Sequence, residues 1–195
     1  KFEHALVTMD NGVSNAEAKT GAVSDPGSLA ETDFLLALEE GRAAVFIAYD
    51  HCSGECVGIH AQGPEPVEAL EPIRQGVKDY FGTARENIAE DLSLRHDHGT
   101  QYMAHDFQKE IKWLGITSSP TFVPMPECNG CAERFIRTLR ENLLWVRRFK
   151  TTEELRLALL KFRQIYNENW IMHRHKYKTP AQFRRDIIEN RAMAA

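Results

Sequence analysis

From Leu29 onward the chain alternates between two hydrophobic periods. Leu29–Leu38 reads as a strand, Glu39-Glu40-Gly41-Arg42 as a turn, and Ala43–Asp50 as a buried strand of small, β-branched and aromatic residues. Ser53-Gly54 marks a second turn and Cys56–Ala61 a returning strand, which together predict an antiparallel meander. Helical spacing takes over after Pro66, where Val67, Leu70, Ile73, Val77 and Phe81 recur at three- and four-residue steps, with a kink expected at Pro72 and a stop at Gly82. A strand, Leu92–His96, precedes a helix, Gln101–Leu114, that turns Tyr102, Phe107, Ile111 and Leu114 inward and ends at Gly115. Ile116–Ser118 is a brief strand, and Ser119–Asn129 an irregular loop with three prolines. A long amphipathic helix runs from Ala132 to Arg148, and another covers Thr152–Asn169. Residues 1–28, rich in Gly, Ser, Asn, Asp and Ala, carry no sustained periodicity and read as an irregular, mobile lead-in.

This order, βββαβαβαα, predicts an α/β fold. Its mixed sheet has three antiparallel strands followed by parallel ones, with helices on both faces. The expected division is a lead-in over 1–28, a core over 29–150 and a helical, basic extension over 151–195.

Composition narrows the class. Of the 195 residues 43% are hydrophobic and 27% charged, a globular mixture rather than a disordered or fibrous one. The longest apolar run, Ala43–Tyr49, falls far short of the roughly 20 residues a membrane-spanning helix needs. No charged and apolar leader opens the chain, which starts at Lys1 and reads as a piece or processed product of a longer one. The 4 cysteines are too sparse for a disulfide scaffold and point to a reducing cytosol. The net charge of −4 hides a division: residues 1–133 hold 9 Lys and Arg against 22 Asp and Glu, residues 134–195 hold 15 against 6. The basic third suits a polyanionic partner; pairing between the two halves explains the same numbers.

Three carboxylates stand where this architecture can bring them together: Asp33 in the first strand, Asp97 just past the fourth, and Glu133 in the first turn of the long helix. Carboxylates gathered in one place repel one another unless cations neutralise them, so such a cluster is a poor structural element and a good site for Mg²⁺. Phosphodiester chemistry commonly uses two such ions, about 3.5–4 Å apart, to stabilise the attacking and leaving oxygens. Asp50, which ends the second strand, is the rival for the first position; its other role is to hold the turn with Ser53.

The sequence resembles bacterial insertion-sequence transposases with a retroviral-integrase-type catalytic core. The likeness rests on Thr32-Asp33, the strand pair Ala43–Ala61, His96-Asp97-His98-Gly99 with Gln101-Tyr102, Asn129-Gly130-Cys131-Ala132-Glu133, and Tyr166-Asn167 to Thr179-Pro180. It covers roughly residues 29–186. The resemblance implies an RNase H-like fold and a DDE triad of Asp33, Asp97 and Glu133 that binds two Mg²⁺ or Mn²⁺. It implies Mg²⁺-dependent DNA cleavage and strand transfer between mobile-element ends and target DNA, by a homo-oligomer in the cytoplasm. No helix-turn-helix for reading element ends is legible here, so that part would come from a separate protein or from a domain outside this chain. Two other readings stay open: a non-catalytic remnant that still binds nucleic acid, and an RNase H-like nuclease acting on RNA–DNA hybrids.

On the long helix Glu133, Arg137, Arg140, Leu144 and Arg147 or Arg148 share one stripe, while Phe135, Leu139, Leu143 and Val146 are expected to bury. Arg137, Arg140, Arg147 and Arg148 are therefore candidate phosphate contacts. His173, His175, Lys176 and Lys178, with Trp170 and Tyr177 among them, form a basic-aromatic tail suited to gripping DNA or to packing on the core. Cys52, Cys56, Cys128 and Cys131 are read as small hydrophobes rather than a four-thiolate zinc site, because only the second pair has knuckle spacing.

Overall fold

The computed structural model describes residues 5–11, 35–39, 41–62, 69–96, 99–120 and 130–194. Six strands, β1 (Ala5–Asn11), β2 (Leu35–Leu38), β3 (Gly41–Asp50), β4 (Cys56–Gln62), β5 (Leu92–His96) and β6 (Thr117–Pro120), form one mixed sheet. Among the helices are α1 (Glu71–Phe81), α2 (Thr100–Met103), α3 (His105–Trp113), α4 (Gly130–Leu139), α5 (Thr152–Asn169) and α6 (Pro180–Ala194).

β3 organises the sheet. One edge pairs antiparallel with β4, and the other pairs antiparallel with β1 over Phe46–Asp50 and with β2 over Gly41–Ala44. β1 and β2 thus occupy consecutive stretches of a single lane. On the far side β1 runs parallel to β5, and β5 parallel to β6. The lead-in expected over 1–28 is corrected here, since it contains β1, the strand at the centre of the sheet. Ala5-Leu6-Val7-Thr8-Met9 is apolar and β-branched enough for a strand. It is short, however, and the Gly-, Ser- and Asp-rich stretch after it masks the signal.

Alternation along β3 builds two cores. Ala43, Val45, Ile47 and Tyr49 face α4 and α5, meeting Phe135, Leu139, Leu155, Leu159, Phe162 and Tyr166. Phe46 and Ala48 face the opposite layer, with Ile73, Val77, Leu94, Phe107 and Ile111. α5 lies beyond the division drawn at residue 150, yet its apolar side closes the same core as β3 and β4.

The register of β4 against β3 slips at Ala48/Tyr49, leaving Val57 as the extra residue of a bulge. Side chains from α5 satisfy the freed backbone. Arg163 donates to the carbonyls of Cys56 at 2.9 Å and Val57 at 2.7 Å, and Asn167 both donates to Cys56 O at 3.0 Å and accepts from Cys56 N at 2.9 Å. Gln75 of α1 accepts from Ile59 N at 3.1 Å, and Arg156 donates to Ala61 O at 2.7 Å. The outer edge of β4 is thereby covered rather than left as a template for another chain.

Three helical expectations shift. Pro72 does not kink α1 but lies in its first turn, where a missing N–H costs nothing. The helix expected over Gln101–Leu114 breaks at Ala104, whose ψ of 140° is extended, although Tyr102, Phe107, Ile111 and Leu114 are all buried. The long helix ends its α-helical part at Leu139 and continues as a π-helical turn, Arg140–Leu144, closed by Trp145 N donating to Arg140 O at 2.9 Å.

Candidate functional site

α4 is positioned by Ala132, Phe135, Ile136 and Leu139, which are buried against the sheet. That anchoring leaves Glu133, in the first turn, exposed on the outer side with Arg134 and Arg137. α4 also contacts β1. The pairing of β1 with β5 ends at Met9↔His96, so the next residue of each strand's sequence is a carboxylate, Asp10 and Asp97. Asp10 lies near the carboxyl end of β1, and open α/β sheets form their binding crevices at the carboxyl ends of their strands.

Of the three predicted carboxylates, Glu133 is thus described, at an exposed helix entry. Asp33 and Asp97 lie outside the described residues, as do His98 and Cys128. Among the described residues no group of three His, Cys, Asp or Glu is gathered as metal ligands. Asp10, the penultimate residue of β1, is a further carboxylate that the sequence pattern did not single out; the signal was the run Ala5–Met9 bounded by Asp10-Asn11-Gly12. Asp50 holds the turn after β3. Its carboxylate accepts from Cys52 N at 3.0 Å, Ser53 N at 3.0 Å and Ser53 Oγ at 2.5 Å, leaving it committed to local backbone.

The arginine stripe is corrected by the π turn. Arg137 is exposed beside Glu133, and Arg140 is half-buried at the start of the turn. Arg147 and Arg148 come after the end of the helical segment rather than continuing its face. Arg147 donates to Glu154 at 2.8 Å and lies 5.1 Å from the Phe149 ring centroid. The extra residue in the turn rotates the positions beyond it: Leu144 is buried, while Val146, expected inside, is 70% exposed and Phe149 takes the core position.

His96 is fully buried, paired with Ser118 Oγ at 2.9 Å and set among Tyr102 and Phe107, so it supports β5 from within. Cys56 is buried in the core, donates to Gly58 O at 3.4 Å, and has its thiol pKa pushed up to about 12 by desolvation. That is the behaviour of a small hydrophobe.

Behind the site, the turn after β3 is gripped by the chain's C-terminal third. Glu55, buried, accepts from Tyr80 Oη at 2.9 Å and faces Arg184 Nε at 3.5 Å; desolvation raises its pKa, against the pull of Arg184. His51, at the turn, has its pKa lowered by burial and by Arg95 and Arg174.

Comparison with known proteins bears on the fold. Residues 114–180 match the family model described as integrase core domain. The chain is 29% identical over 110 residues to the transposase for insertion sequence element IS904 of Lactococcus lactis subsp. lactis (strain IL1403), an alignment covering 55% of this chain and 44% of that protein. The chain therefore spans less than half the length of that relative. The crystal structure of the catalytic core domain of BIV integrase superposes with a TM-score of 0.57 at 18% identity, covering 96% of this chain and 98% of the other. The HTLV-2 integrase catalytic core domain in complex with magnesium, in its trimeric form, gives 0.55 at 14% identity over 93% and 96%. The chain therefore shares the RNase H-like α/β fold of these catalytic core domains.

Proposed function

We propose that this chain, which shares the fold of integrase catalytic cores and resembles an insertion-sequence transposase, is the catalytic part of a DNA transposase, cutting DNA strands and joining them to a target. The observation that supports the reading is Glu133, exposed at the entry of α4, together with the pairing of β1 with β5, whose last pair, Met9↔His96, immediately precedes Asp10 and Asp97 in the sequence. Three carboxylates would hold the divalent cations: Asp97, Glu133 and, in the first position, Asp33, with Asp10 on β1 as its rival. Mg²⁺ bound there supplies Lewis acidity and charge neutralisation to a phosphodiester. The HTLV-2 integrase core was solved with magnesium, which supports that choice of ion.

The chain's own residues do the rest. Burial of Phe135, Ile136 and Leu139 fixes the backbone of α4 at Glu133, so that only the rotamers of its side chain remain to be ordered when substrate arrives. Arg134 and Arg137, exposed on the same helix, supply positive charge for the DNA backbone, with affinity that falls as salt rises. Paired element ends and target DNA would be held by more than one copy, and reading of the ends falls to a part of the transposase beyond this core.

Asp97→Asn and Glu133→Gln should each lower Mg²⁺-dependent nicking of supercoiled DNA by about a thousandfold, since the metal contributes several kcal/mol to the transition state. Asp10→Asn and Asp33→Asn, assayed side by side, identify the first carboxylate by which of them abolishes nicking. Retained nicking in Glu133→Gln sinks the assignment, and metal binding without turnover on any DNA points instead to a binding remnant.

A further inference from the structure

Between α5 and α6 the chain makes a tight loop. Met172 and Lys178 pair as an isolated antiparallel bridge, with Met172 N donating to Lys178 O at 3.1 Å and Tyr177 N to Met172 O at 3.1 Å. Its base is built into the molecule: Met172 packs against the main core, and buried His175 stacks on Phe183 with ring centroids 3.9 Å apart. Thr179 and Gln182 then cap α6 reciprocally, at 3.0 and 3.2 Å.

The tip is different. Lys176 and Tyr177 are consecutive non-glycine residues with φ of +55° and +62°, a left-handed conformation that costs energy for any residue bearing a Cβ. Glycine would relieve that cost, yet the chain places there a lysine and a tyrosine, the latter 69% exposed. His173 and Tyr177 pair at right angles with ring centroids 5.2 Å apart, and the exposed Tyr177 ring keeps surface open to solvent. Arg174 leans from the loop over Gly54, whose positive φ of +73° and missing Cβ make room, since a Cβ there would lie 2.6 Å from the guanidinium. One of its amino groups donates to His51 O at 3.3 Å and reaches Cys131 Sγ at 4.0 Å, two residues before Glu133 in the first turn of α4. The loop therefore sits beside the entry of the acidic helix, presenting a flat aromatic ring flanked by two cations. A ring plus cations is the pairing with which proteins hold an unpaired nucleotide: the ring takes the base and the cations take the phosphates.

We propose that the 172–178 loop is a nucleic-acid contact, in which Tyr177 stacks on an unpaired base while Arg174 and Lys176 hold the phosphates on either side, next to Glu133. The inference rests on the reading of this chain as a DNA-processing core, and it adds that the substrate is engaged where its strands have come apart.

The test measures binding of the intact chain, by fluorescence anisotropy, to a short labelled duplex that is either blunt or carries a single-stranded tail. Tyr177→Ala should weaken binding to the tailed probe by about tenfold and to the blunt one by less than about twofold. On the tailed probe, Arg174→Ala with Lys176→Ala should flatten the dependence of log affinity on log salt by about 0.7 per single-strand phosphate contact removed. Lys176→Gly separates binding from folding: it should melt at or above the parent's temperature and still bind DNA more weakly. Equal losses on both probes for Tyr177→Ala overturn the base contact, and variants that bind like the parent at every salt concentration overturn the loop's role. If that happens while the parent binds and nicks DNA and Glu133→Gln fails to nick, the loop proposal falls alone. A parent that binds neither probe takes the DNA reading down with it.

Discussion

Gly58 sits where α1 crosses β4. A Cβ built there would lie 1.9 Å from the carbonyl oxygen of Pro72, a clash with backbone that no rotamer relieves. Gly58→Ala should therefore lever α1 away from the sheet and cost about 3 kcal/mol, read from urea denaturation with an unchanged slope. His175 makes the opposite kind of demand, on proton occupancy. Burial and the neighbouring Arg174 lower its pKa from 6.5 in the folded state, against the opposing charge of Asp50. Below pH 6.5 the unfolded chain accordingly takes up a proton that the folded chain refuses. Stability should fall as pH drops from 6.5 through the lowered folded value and level off beneath it, with no contribution to the slope above 6.5. A His175→Gln variant, melted across that range, should show a flatter profile.

Elements come out of the sequence unequally. β5 and α5 coincide with the expected Leu92–His96 and Thr152–Asn169, and β3 extends two residues before the expected Ala43, because each carries an unbroken hydrophobic period bounded by turn or cap signals. Thr151, for instance, accepts from Glu154 N at 3.2 Å and starts α5 where the pattern starts. The break at Ala104 and the π turn were not legible, since both lie inside runs whose 3.6-residue spacing continues across them. The site followed the same rule. Glu133's exposure was readable from the buried stripe beneath it, whereas the places of Arg147 and Arg148 depended on a change of pitch that leaves no mark in composition. Leu144→Ala should cost about 2–5 kcal/mol, and Val146→Ala should stay within about 0.5 kcal/mol of the parent. A regular helix through residue 148 would reverse that order, so equilibrium unfolding of the two variants checks the turn directly.

At the scale of the whole molecule, the opposite charges of the two halves are partly used internally. Arg163 meets Asp79 at 2.5 Å, and Arg184 meets Glu55 at 3.5 Å, tying α5 and α6 to the acidic half. With Leu155, Leu159, Phe162 and Tyr166 in the main core, the C-terminal third is part of what makes the rest fold. A chain cut after residue 150 should expose that core, bind a hydrophobic dye and lose a cooperative thermal transition, as followed by near-ultraviolet dichroism. Among the described residues no helix is long and apolar enough to cross a membrane.

The shared lane of β1 and β2 has an engineering consequence. Asn11 pairs with Phe46 and Leu35 with Ala44, so the chain leaves the sheet and rejoins it two positions apart on the same neighbour. Whatever joins those two points closes a loop with adjacent ends, and the entropy of such a loop grows only slowly with its length. A fluorescent reporter or affinity handle spliced between Asn11 and Leu35 should therefore leave the pairings of β1 and β2 with β3 in place, which circular dichroism and thermal melting would check. A graft that removes Asp33 and keeps nicking would leave Asp10 as the residue doing its work.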